Sequence, residues 1–98
     1  MLDRLTVDDF AAYSGAEFRL GADEQALHLR LLSATALGRA AQTHDARAGF
    51  SLLFAGPLEA PLAQGVHRVV HPTQGPLNIF LVPVGTSATG LQYEAVFN

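Results

Sequence analysis

His67 and His71 stand four residues apart, the spacing in this chain most suggestive of a metal site. On a helix that spacing puts two imidazoles on one face, within reach of a single ion. On a strand the same residues are about 13 Å apart, because each residue advances roughly 3.3 Å. Metal–nitrogen bonds of about 2 Å cannot bridge that gap. The run Val66–His71 (VHRVVH) reads as a strand, and no other acidic or histidine cluster is placed to complete a site. The expectation is two exposed strand histidines, with no metal and no other cofactor.

The remaining chemical groups are dispersed. His44-Asp45, with Arg47 close behind, falls in a polar, aperiodic stretch that reads as a mobile surface loop, a poor platform for catalysis. Ser51 lacks the second glycine of a nucleophile elbow. Gly85–Gly90 (GTSATG) has no lysine and no following helix, so it is not a phosphate loop. Asp8-Asp9 and Asp23-Glu24 sit where helix starts and turns favour acids, while Asp45, Glu59 and Glu94 are isolated. No catalytic residue is assigned, and the chain reads as a non-enzyme.

Composition narrows the class. Ninety-eight residues make a single domain, 1–98. Without cysteine there are no disulfides and no thiolate metal sites. Hydrophobic residues make up 49% and charged residues 15%, which argues against disorder and for a surface that associates. Net charge is −3, and all six basic residues are arginines without a cluster, so nucleic-acid binding is not expected. No apolar run approaches the roughly 18–20 residues of a membrane span. Met1–Leu5 lacks a basic start followed by an apolar segment, so the expected location is the cytoplasm.

The elements that must position these residues follow from periodicity. Thr6-Val7-Asp8-Asp9 can open a short helix at about 6–14, with Thr6 capping, Asp9 answering it and Gly15 ending it. Strands are expected at Glu17–Leu20, at Gln25–Leu37 with helix as the competing reading, at Phe50–Phe54, Val66–His71, Leu77–Val84 and Leu91–Asn98. Gly38–Gly49 is the loop, and Leu58–Gly65 an irregular connection. Pro72–Gly75 and Gly85–Gly90 are turns. The fold class is mainly β: a short N-terminal helix, then about six antiparallel strands in a small barrel or strongly curled sheet. Sequential neighbours are the simplest pairing. Pro83 cannot donate to a ladder and should mark a bulge or a strand end.

Leu77–Val84 (LNIFLVPV) is apolar on both faces, so it should be covered on both sides. Leu77, Ile79 and Leu81 belong to the core with Phe18, Leu52, Phe54, Tyr93 and Phe97. The helix is the candidate cover for the other side. Leu53, Val69, Phe80, Val82 and Val84 form the outward apolar set, too large for one short helix, and constitute the candidate interface. The expected function is a protein-interaction or assembly module that binds a protein partner or itself. A barrel holding a small-molecule ligand is the alternative.

The words FSLLF-x-GP (Phe50–Pro57), FLVPVG (Phe80–Gly85) and YEAVFN (Tyr93–Asn98), with Gln64-Gly65, His71-Pro72 and the opening TVDDF, resemble a small bacterial family of unknown function. The resemblance spans nearly the whole chain. It supports a strand over Ala26–Ser33 and carries no catalytic residue. Members sit near phage-tail-collar-like proteins in bacterial genomes, which implies a role in a tail-like assembly. The Ala-rich Gly38–Gly49 loop departs from the family pattern.

Overall fold

The computed structural model describes residues 5–21, 27–36, 49–88 and 90–97. The Gly38–Ala48 part of the expected loop, with His44, Asp45 and Arg47, lies outside them. One helix, α1 (Asp8–Ala11), precedes six strands: β1 (Glu17–Leu20), β2 (Leu27–Ala36), β3 (Phe50–Gly56), β4 (Gly65–His71), β5 (Gly75–Ser87) and β6 (Gly90–Phe97). The ambiguous stretch after Ala26 is therefore strand. Alternation fixes the faces: Phe18, Leu29, Leu31, Leu52, Phe54, Ile79, Leu81, Tyr93 and Ala95 are all buried.

The strands close into an antiparallel barrel in the order β1-β2-β3-β6-β5-β4. This corrects the expectation of sequential neighbours. β3 pairs along its whole length with β6, from Phe50↔Phe97 to Gly56↔Leu91, and β4 returns to β1 through Arg19↔Val70 and Leu20↔Val69. Strands β4, β5 and β6 are joined by tight turns, and β3 lies beside the last of them, which is a Greek key. Local patterning sees only turns; it cannot see that the Pro57–Gln64 connection carries the chain across the barrel mouth instead of turning back.

Each end of the barrel has its own closure. At one end, helix α1 presents Phe10, fully buried, against the rings of Phe18, Phe50, Phe97 and His71, with centroids 5.1–6.2 Å away. Burying that side chain contributes about 1.5–3 kcal/mol, and this docking compensates for a helix too short to persist alone. The Thr6 N–H donates to the Asp9 carboxylate at 2.8 Å, one half of the capping interaction the sequence suggests. Turns follow the helix as far as Gly15, whose φ of 87° reverses the chain into β1. At the other end, the connection after β3 is tied down where Leu62 N–H donates to the buried Tyr93 hydroxyl at 2.9 Å. The His67 ring, bonded through Nε2 to the Ala63 carbonyl at 2.7 Å, holds the same connection.

Helix α1 thus plugs an end of the barrel and does not cover the outer face of β5, as the sequence suggested it would. β5 is also longer than expected. Its first half pairs with β4 (Gly65↔Leu81 to His71↔Gly75) and its second half with β6 (Val82↔Glu94 to Ser87↔Gly90). The register shifts between Pro83 and Gly85, so the proline sits beside a bulge. The bulge lets the ladder continue to Ser87, which shortens the expected Gly85–Gly90 turn to the residues between Ser87 and Gly90.

Candidate functional site

β4 supplies the main departure from the sequence reading. Val69 and His71 are both buried, and Val66 and Arg68 face solvent. Val69 therefore leaves the candidate interface, and His71 is not an exposed histidine. Valines occupy both parities of VHRVVH, so apolar alternation alone misassigns the strand. Arg68 is the signal that resolves it, since the parity carrying an arginine cannot face a closed core.

His71 is held on every side. Its ring meets Phe10, Tyr13 and Phe18 edge to face, at 5.1, 5.0 and 5.5 Å. Its Nδ1 accepts the backbone N–H groups of Thr73 and Gln74, both at 3.1 Å. Backbone N–H groups can only donate, so Nδ1 carries no proton and Nε2–H donates to the Asp9 carbonyl oxygen at 2.6 Å. The two histidines of the metal-like spacing thus serve opposite ends of the barrel. Among the described residues, no three His, Cys, Asp or Glu side chains gather closely enough to hold a metal ion. Ser51 and Glu94 lie outward on β3 and β6, and Asp8 and Asp9 lie on α1. These groups do not converge on one cleft.

The outer face of β3, β6 and β5 is where apolar side chains accumulate. Register sets Leu53, Glu94 and Val82 in one row across the three strands. The neighbouring positions on the same face carry Val96 and Phe80, with Val66 of β4 directly opposite Phe80. Phe80, Val84 and Val96 are each about half exposed (50, 49 and 52%) and Val66 is 65% exposed. Leu53 and Val82 are partly buried. Four of the five residues singled out in the sequence therefore face outward. Val66 and Val96, which the sequence reading did not include, complete the surface. β3, β5 and β6 carry no arginine or lysine, and Glu94 is their single acid.

The opposite side is different in kind. Arg68, Arg19 and Arg30 project from β4, β1 and β2, which adjoin one another, and His28 stands opposite Arg19. Glu17, opposite Arg30, is the only acid on these three strands. An open cleft of about 470 Å³ lies on this side, lined by Glu17, His28, Arg30 and Leu32 and bounded by Gly56-Pro57. Inside the barrel, the buried aromatic and aliphatic side chains form one core cluster.

Fold and surface together define a small closed Greek-key barrel with an apolar outer face and an arginine face on opposite sides. The chain belongs to the family described as Domain of unknown function (DUF6916), whose model matches residues 5–97. No curated protein and no solved structure matches the sequence.

Proposed function

We propose that this barrel is a non-enzymatic protein-interaction or assembly module that binds through the outer face of β5 and β6. The observation that carries the reading is Phe80 standing half exposed with Val66 opposite it, and Val84 and Val96 half exposed on the same side. An aromatic side chain left in solvent with three valines gains nothing for the monomer beyond a cross-strand contact of about 0.2–1 kcal/mol. Contiguous apolar surface of this kind is typical of partner sites. A role in a tail-like assembly, as the family resemblance implies, is a narrower form of the same reading. Ligand binding inside the barrel has less support, because aromatic and aliphatic side chains occupy the interior.

A photo-cross-linking residue placed at Phe80 or Val96, in cells that make the protein naturally, tests the reading. The expected result is a discrete adduct that is absent when the same residue replaces the exposed Glu59. The adduct, once identified and purified, should bind the wild-type protein and lose that binding with Phe80→Ser/Val96→Ser. Equal, diffuse labelling at all three positions overturns the proposal.

A further inference from the structure

The apolar face has a carboxylate at its centre. Glu94 is flanked in register by Leu53 on β3 and Val82 on β5, and it is partly buried already. Any partner that covers the face also covers Glu94, and a carboxylate removed from water needs a cation and hydrogen bonds in return. A twofold dimer through this face would instead bring one Glu94 towards the other, with no arginine or lysine on β3, β5 or β6 to separate them. An isologous contact is therefore the unfavourable way to cover it. The mate must carry apolar surface and a guanidinium or ammonium group together.

This chain presents such a surface itself. β6, which carries Glu94, lies between β3 and β5, while β1, which carries Arg19, lies between β2 and β4, so the two strands are opposite one another around the barrel. Arg30 is diagonal to Arg19 across the β1–β2 pair. Arg68 is diagonal on the other side, because its carbonyl accepts Gly21 N–H at 2.8 Å. Such diagonal neighbours are about 7–8 Å apart, so the three arginines run in one oblique row with Arg19 in the middle and Val70 directly opposite it. The open cleft lined by Arg30, His28 and Leu32 flanks this row on its β2 side, whereas the other face presents Phe80. Among the described residues, Glu17 is the one carboxylate on the arginine face, where it stands opposite Arg30 and leaves three guanidinium groups against one acid, while Asp8 and Asp9 lie on the helix and Glu59 on the β3–β4 connection. Guanidinium groups pair with a carboxylate in a fork and also stack on aromatic rings, so one arginine cluster suits both Glu94 and Phe80.

We infer that this chain associates head to tail with copies of itself, the Glu94-centred apolar face of one copy seating on the Arg19–Arg30–Arg68 face of the next. The inference rests on the interaction reading above and specifies its partner. A heterologous contact between surfaces half a turn apart does not close at two copies; it propagates into a filament or closes into a ring.

Sedimentation of face-specific variants tests it. Phe80→Arg disables the apolar face and Arg19→Glu/Arg30→Glu disables the arginine face. The milder Arg19→Ala/Arg30→Ala serves if the reversals impair folding, which circular dichroism would show. The wild type should grow in mass across a concentration series reaching hundreds of micromolar, and less so at high salt. Each variant alone should stay monomeric, with association weakened at least about tenfold. An equimolar mixture of the two should form a heterodimer that grows no further, because each variant retains one working face. If Phe80→Arg abolishes association while the arginine variant dimerises normally, the contact is twofold and the inference fails. A wild type that stays monomeric throughout also ends it, yet leaves the interaction reading standing or falling on the cross-linking at Phe80 and Val96. Wild-type association untouched by either variant ends both.

Discussion

The imidazole of His71 and the backbone carbonyl of Asp9, 62 positions apart in the chain, are joined by a 2.6 Å hydrogen bond at the end of the barrel that helix α1 plugs. The same ring accepts two N–H groups of its own turn, so one side chain fixes both the β4–β5 hairpin and the docking of α1. Replacement by Phe keeps an aromatic ring among Phe10, Tyr13 and Phe18 but strands the N–H groups of Thr73 and Gln74 and the Asp9 carbonyl. His71→Phe should destabilise by about 2–4 kcal/mol, read from chemical denaturation. Nitrogen-15 NMR of the native protein should show the proton on Nε2, and a proton on Nδ1 would contradict the hydrogen-bond assignment.

Tyr93→Phe removes a single oxygen. The ring remains in the core, while Leu62 N–H loses its acceptor in a partly buried setting. A loss of about 1–2 kcal/mol is expected. Hydrogen exchange at Leu62 should accelerate by more than exchange at Leu52 or Ala95. Uniform acceleration would mean that the hydroxyl does not anchor the connection.

Gly90 begins β6 with φ 142°, and a Cβ added there would run into the Gly56 carbonyl oxygen of β3. Gly90→Ala should cost about 1–3 kcal/mol through strain and strand separation. Gly85→Ala, with open space where the Cβ would go, serves as the comparison and should be close to neutral in the same thermal melt. Equal effects at the two positions would show that the approach of Gly90 to Gly56 is not limiting.

Phe80→Ser/Val96→Ser separates function from folding. Both side chains are half exposed, so the double variant should remain within about 1 kcal/mol of the wild type in stability, while association through the face is lost. A large drop in melting temperature would instead mark these residues as part of the fold.

Much of the barrel is legible in the sequence because its core strands alternate cleanly. Phe50, Leu52 and Phe54, Leu77, Ile79 and Leu81, and Tyr93, Ala95 and Phe97 declare their inward faces by period two alone, and Pro83 announces its bulge. Phe80 and Val84 are legible as outward for the same reason. β4 is not, because its valines fall on both parities. What turns His71 inward is a carbonyl on the helix and two N–H groups of the following turn, and no window around His71 contains the helix. The pairing of β3 with β6 is hidden for a similar reason: it is decided by the side on which a connection crosses the barrel mouth. The arginine face is scattered as Arg19, Arg30 and Arg68 along the chain and becomes one surface only when β4 meets β1.

The Greek-key order also sets a timetable. β6 is the only neighbour that β3 has on one side, and it pairs with the second half of β5 as well. On a ribosome that makes the chain from its N-terminus, β3 is complete roughly forty residues before the strand that covers its edge. During that interval the hydrogen-bonding edge of Phe50–Gly56, rich in aromatic and aliphatic residues, is open to other chains. Contacts this distant in sequence also slow folding. One period of risk for misassembly therefore falls between the synthesis of Gly56 and that of Phe97.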